Sequence, residues 1–250
     1  MNPAQMLQNY RRMVATEGSG KTHWWYIGTT FIEIDGYPSI PVAQPETLMV
    51  YDTTTISNDS FSIVWNEIGY FRDCISGEII DVWQNPITGE RVAAPKSFIE
   101  GPAQYTISSA ENEVSVALVQ PNAIVAGVSV KTNIVGERIW ITQVERKSRG
   151  FPQRDGSLPE AGSSQTADAV TTLSFSSDVE ALAGASPSVP CIGYYEFRLG
   201  TLPEWMGFGD RRGRTVVKGV IVKCEAGEVV NRQSTERLRE LYPNFFVQHA

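Results

Sequence analysis

GYFRDCISGEIIDVWQNPITGERV, residues 69–92, separates one fold class from the rest. Two turn signals, Ser76-Gly77 and Asn85-Pro86 running into Thr88-Gly89, cut it into three short runs that are mostly apolar or aromatic. Gly supplies a positive φ and Pro fixes φ, so such dipeptides punctuate strands. The stretch therefore predicts an antiparallel meander. Turns this closely spaced leave no room for a βαβ crossover, which removes nucleotide-binding α/β folds from contention.

Strand patterns extend on both sides of it. Thr22–Ile34, Leu48–Ile56, Ser60–Arg72, Glu78–Trp83, Val114–Leu118, Ile124–Asn133 and Arg138–Arg146 are expected strands, followed by Ala169–Phe175, Cys191–Leu199 and Arg214–Cys224. A helix is expected over 3–17, where Met6, Leu7, Tyr10, Met13 and Val14 recur at helical spacing. A second is expected over 234–241, capped by Ser234 and stopped at Tyr242-Pro243. Between 147 and 168 the chain is Gly-, Pro- and Ser-rich, a long polar loop that reads as a mobile lid or a disordered excursion. The fold class that follows is mainly β: a curled antiparallel sheet or barrel with a few short peripheral helices, forming a single domain over 1–250.

Composition narrows the function. A net charge of -7 speaks against binding to nucleic acid or anionic lipid, and Asp210-Arg211-Arg212-Gly213-Arg214 is a local exception that ion pairing explains. There is no secretory signal and no apolar run of membrane-spanning length, so a cytoplasmic location with no membrane partner is expected. Cys74, Cys191 and Cys224 are read as free thiols. With His23 and His249 the only histidines, no histidine-rich metal site can be built, and neither a metal nor a cofactor is expected. Residues 15–22, ATEGSGKT, imitate a phosphate-binding loop, but a helix precedes and a strand follows, the reverse of what phosphate binding needs.

The informative signal is a carboxylate on an otherwise apolar strand face. Alternation puts Phe61, Ile63, Trp65, Glu67, Gly69 and Phe71 on one face, with Glu67 the single acid among large apolar groups. An unpaired buried carboxylate costs roughly 3–5 kcal/mol, so Glu67 is either paired for structure or desolvated and protonated, fit to move protons near neutral pH. Glu196 stands among Tyr194 and Tyr195, with Arg198 on its own face as a ready ion-pair partner. His23, beside Trp24 and Trp25, and the phenols of Tyr70 and Tyr194 complete the candidate catalytic set. Trp25, Trp65 and Trp205, with Met206 and Phe208 of the glycine-framed segment 200–213, are the candidate substrate-binding residues. The expected function is a cofactor-independent lyase or isomerase acting on a hydrophobic, aromatic or polyketide-like small molecule in a barrel cavity. A non-catalytic carrier or sensor of such a ligand is the alternative, a partner-binding loop at Trp205 is a third reading, and a homodimer is left open.

Three motifs carry a family resemblance: Trp24-Trp25-Tyr26-Ile27-Gly28-Thr29, the meander from Gly69 through Trp83-Gln84-Asn85-Pro86-Ile87-Thr88-Gly89-Glu90, and Trp205-Met206-Gly207-Phe208-Gly209-Asp210. Together they resemble the domain of unknown function 1838 family of bacteria and fungi, over about residues 5–246. The resemblance implies one full-length domain and assigns no catalytic residue.

Overall fold

The computed structural model describes residues 2–109, 113–224 and 232–248; His249 lies outside them. In chain order the elements are α1 (Pro3–Val14), β1 (Gly20–Ile34), β2 (Ile40–Ser57), β3 (Ser60–Arg72), β4 (Val82–Gln84), β5 (Arg91–Ala93), β6 (Ser97–Ser109) and β7 (Val114–Val119). There follow β8 (Ile124–Val135), β9 (Arg138–Arg149), β10 (Ala167–Asp178), α2 (Val179–Ala183), β11 (Ile192–Leu199), β12 (Gly213–Cys224), α3 (Arg232–Leu241) and α4 (Pro243–Gln248). Ten strands form one antiparallel sheet in the order β7-β6-β3-β2-β1-β12-β11-β10-β9-β8. Its two end strands, β7 and β8, lie side by side, so the sheet is nearly closed into a barrel. No helix among the described residues is long and apolar enough to cross a membrane.

The barrel interior is lined by alternate residues of the ten-stranded sheet, as the pleat requires. One end is plugged by α1, whose Leu7, Tyr10, Met13 and Val14 join the core. The Tyr10 ring meets Phe61 and Phe175 at centroid distances of 6.3 and 6.5 Å. The other end is covered by a strap, the segment 150–166, which contains no helix or strand yet is packed into the fold. Phe151 is buried there, and Trp205 Nε1 donates to the Pro152 carbonyl at 3.2 Å. α3 and α4 cover the outside of the wall, burying Trp25, Ile68, Tyr70 and Cys224 beneath Leu238.

Two expectations change at proline. β2 begins at Ile40 rather than Leu48, running through Pro41 and Pro45, with a register shift opposite Thr30 and Phe31 that absorbs the missing donor. β6, which no sequence pattern announced, carries Pro102 and a second register shift.

The meander resolves into the two-stranded sheet β4-β5, which buttresses the covered end. Asn85 is fully buried there. Its Oδ1 accepts from the backbone N–H of Ile87 and Thr88, and its Nδ2 donates to the carbonyls of Met206 at 2.9 Å and Gly207 at 3.3 Å. Trp83 packs edge-on against Trp205 and Phe208 beside it. The Trp-x-Asn-Pro-x-Thr-Gly-Glu motif is therefore the clamp that joins the hairpin to the segment holding the strap. Asn85→Ala leaves buried backbone groups unpaired, and chemical denaturation should show a loss of about 2–4 kcal/mol.

Candidate functional site

A cavity with a free volume of about 70 Å³ lies inside the barrel under the strap. That is room for about two waters, or for a small group of a ligand in their place, about half of the roughly 150 Å³ that takes a benzene ring. Pro45, Met49, Phe71, Phe98, Phe151 and Phe197 make its apolar walls, and Glu67, Glu100 and Arg149 its charged side.

Glu67 reaches the cavity because β3 turns Phe61, Ile63, Trp65, Glu67 and Phe71 inward. Glu100 reaches it through the irregularity in β6. Trp65 pairs with Ala103 but Glu67 pairs with Glu100, so β6 spends one more residue than β3 between the two pairs. The inward face of β6 thereby switches from Ala103, Tyr105 and Ile107 to Phe98 and Glu100. Gly101 makes the turn: its φ is +104°, and a Cβ there would sit 2.7 Å from the Trp65 carbonyl oxygen. The outcome is two carboxyl groups from neighbouring strands in one interior.

A polar chain along β9 meets them. Ile139, Ile141, Gln143, Glu145, Lys147 and Arg149 alternate inward. Arg149 donates from both Nη1 and Nη2 to Glu100, the latter bond at 3.1 Å, with its guanidinium over the Phe197 ring. Gln120 donates to Glu100 at 2.7 Å and accepts from Lys147 at 3.0 Å, while Lys147 also pairs with Glu145 at 2.9 Å. Tyr105 and Gln143 donate to Glu145 in turn. These buried charges are all matched, as buried charges must be.

Glu67 is different. Among the described residues no cation bonds to it. It is half-buried and lines the cavity. Burial, then the nearby Glu100 carboxylate, push its pKa up to about 8; Thr47, Arg149 and Lys147 moderate the rise without reversing it. For Glu100, burial also acts upward, but the Arg149 guanidinium outweighs it and holds that carboxyl below its ordinary range. The Thr47 hydroxyl stands near Glu67, yet forms no hydrogen bond of ordinary geometry. Tyr26 Oη and Thr30 Oγ1, which also line the cavity, are buried without a partner. Two buried hydroxyls left open, those of Tyr26 and Thr30, share the cavity with one protonated carboxyl and can bind oxygen or nitrogen atoms that the protein does not itself supply.

Of the residues that the sequence put forward, Glu67 lines this cavity and Trp65 is buried on the same inward face of β3. The others are elsewhere. Trp24 and Tyr26 point inward on β1, so His23 and Trp25 point outward, with Trp25 buried only because the C-terminal helices cover it. Tyr70 is also outside, donating to Glu46 at 2.6 Å and accepting from Arg72 at 2.9 Å. Tyr194 and Glu196 lie on the outer surface, where Tyr194 donates to Glu196 at 3.1 Å and Arg198 forms an ion pair with it. Burial acts to raise the Glu196 pKa, but the hydrogen bonds from Arg198 and Tyr194 outweigh it and hold the carboxyl below its usual range. Glu196→Gln should change stability by less than about 0.5 kcal/mol in denaturant titration and leave ligand binding intact. Trp205, Met206 and Phe208 are buried around the strap and form no part of the cavity wall. Sequence reasoning missed Glu100, Arg149 and Tyr26. The apolar Ile139 and Ile141 fix the parity of β9 and would have carried it inward through Gln143 and Glu145.

No curated protein matches the chain. Solved structures that resemble it include Ail, the attachment invasion locus protein of Yersinia pestis, with 10% identity and a TM-score of 0.30, and the same protein in complex with the heparin analogue sucrose octasulfate, with 8% and 0.29. Each alignment covers 83% of this chain and 99% of the other. A likeness at that level carries no argument about function or location. The family described as "Protein of unknown function (DUF1838)" matches residues 19–249, nearly the whole length. The chain belongs to that family.

Proposed function

We propose that this protein is a cofactor-independent isomerase or lyase in which Glu67 moves a proton on a small, mainly apolar molecule held in the barrel. One observation carries the reading: a carboxyl with a pKa raised to about 8 faces an apolar cavity and is flanked by buried hydroxyls without partners. A carboxylate with that pKa is a far better base toward a C–H bond than an ordinary glutamate, and near neutral pH it is still ionised part of the time. In its ionised form Glu67 takes a proton from carbon beside a carbonyl, and the electron pair of the broken C–H bond passes to the carbonyl oxygen. The Glu67 O–H then gives the same proton back at another carbon, which isomerises the substrate, or to a leaving hydroxyl, which eliminates water. Either sequence closes with Glu67 as it began, so one side chain suffices.

The groups that set its titration are Glu100, Arg149, Lys147 and Thr47. The tested quantity is exchange of carbon-bound hydrogen for deuterium in small ketones and enones, followed by NMR in heavy water. Exchange catalysed by the wild type should rise with pH and level off above about 8, and Glu67→Gln should lower it by about 10²–10⁴-fold. Exchange that is absent from the wild type, or equal in the variant, overturns the reading. Binding of these ketones without exchange would favour a carrier.

A further inference from the structure

We infer that the Tyr26 hydroxyl is the group that receives the substrate's oxygen, held in place by a glycine niche in the barrel wall, and that the substrate is a small, neutral carbonyl compound. The inference rests on the proton-transfer reading of Glu67 and adds the second half of the site.

The niche is made by register. Gly28 of β1 is paired with Gly219 of β12, and Gly219 with Tyr195 of β11, so two adjacent inward positions of the wall carry no side chain. Tyr26 lies down into the space. A Cβ on Gly28 would fall 1.8 Å from Tyr26 Oη and 2.4 Å from Cζ, and one on Gly219 would fall 2.6 Å from Cε2. The ring is braced from the other side by Tyr195, edge-on at 5.1 Å between centroids. A tyrosine so confined has little rotamer freedom left, and its hydroxyl is carried along the strand toward Thr30, where the cavity opens.

That hydroxyl is buried, has no partner and stands within electrostatic reach of Glu67. An aliphatic or phenylalanine side chain would fill the same space without leaving an oxygen unsatisfied. An open hydroxyl that faces the same cavity as a proton-accepting carboxylate can stabilise negative charge as it develops on a carbonyl oxygen. Burial first, and then Glu67, keep the phenol protonated far above neutral pH, so it remains a donor throughout.

The distribution of charge selects the substrate class. Arg149 is committed to Glu100 and Lys147 to Glu145, so among the described residues lining the cavity no cation is spare for a carboxylate or phosphate. An anion that arrives while Glu67 is ionised would be repelled by it, with Arg149 already spent on Glu100, so a phenolate oxygen is admitted only when Glu67 is protonated; a neutral carbonyl acquires charge only as Glu67 takes up the proton. The 70 Å³ of free volume and the phenylalanine walls limit what enters to a small, mainly apolar group beside the carbonyl.

The probe is 4-nitrophenol presented oxygen-first at the mouth of the cavity; its ionised oxygen imitates the charged intermediate and its absorption band reports ionisation. Near neutral pH the wild type should bind it with the spectrum of the ionised form. Tyr26→Phe should weaken binding at least about ten-fold and remove that band. Gly28→Ala should act in the same direction by occupying the hydroxyl's place. Because a Cβ there also presses on the Lys218 carbonyl at 2.5 Å, Tyr26→Phe is the deciding variant. Equal affinity and spectrum in Tyr26→Phe, or no binding by the wild type, overturns the assignment. The two readings fail separately. Carbon exchange that persists undiminished in Tyr26→Phe removes the Tyr26 role and leaves Glu67, while Tyr26-dependent probe binding without exchange in the wild type keeps the oxygen site and removes the reaction.

Discussion

Glutamine at position 67 should make the protein more stable as well as less active, and the gain should appear only on the alkaline side. The folded carboxyl titrates near 8 against 4.5 for a free glutamate. Between those values the native state holds a proton that the unfolded chain has released, so stability falls as pH rises through the interval and levels off above it. At 1.36 kcal/mol per unit, the wild type carries a penalty on the order of 4 kcal/mol at pH 8.5 that is absent near pH 4. Glutamine is never charged and escapes the penalty. Glu67→Gln should therefore melt roughly 10 °C above the wild type at about pH 8.5 and close to it at about pH 4.5. A variant that melts at or below the wild type on the alkaline side would mean that Glu67 is ionised and well accommodated, which removes the poised base. Strain retained at one carboxyl is the pattern expected of a residue kept for chemistry rather than for stability.

How legible this was in the sequence depended on how faithfully each strand kept its period. β3 alternates without interruption from Phe61 to Phe71, so the inward placement of Glu67 could be read directly. β6 breaks its alternation at Gly101-Pro102, and the signals that mark loops hid both the strand and Glu100. β1 offers aromatics on both faces, Trp24 inward and Trp25 outward. The helices that bury the outer face cannot be foreseen from β1 alone, which is why the sequence grouped His23 and Trp25 with the site and passed over Tyr26. On β9 the inward side chains turn from Ile139 and Ile141 to Gln143, Glu145, Lys147 and Arg149, a polar run that hydrophobic patterning assigns to solvent. The rule that inward means apolar fails where partners from other strands satisfy the charge, and those partners are visible only in three dimensions.

Those partners support the second large effect. Arg149→Met should destabilise the protein by about 3–5 kcal/mol near neutral pH, because it strands the Glu100 carboxylate in the interior. The double variant Glu100→Met/Arg149→Met should recover most of that loss, since a matched pair has then been exchanged for apolar volume. The sign of the pH dependence differs from that of Glu67. The Glu100 carboxyl is held below its ordinary range by Arg149, so the pair's contribution is present above the unfolded value of 4.5 and is lost as pH falls through the folded one. The gap between wild type and Arg149→Met should accordingly narrow below about pH 4 in denaturant titrations, opposite to the alkaline gap of Glu67→Gln. If the double variant proves as unstable as the single, the cost lies in lost packing on the Phe197 ring rather than in unmatched charge. Its effect on Glu67 separates the cases further. Removing both partners deletes the repulsion from Glu100 and the attraction from Arg149 together and leaves burial, the largest cause, in place. The alkaline rise in carbon exchange should therefore keep its midpoint within about one unit of the wild type in the double variant, while the single variant, whose stranded Glu100 competes for the same protons, should not.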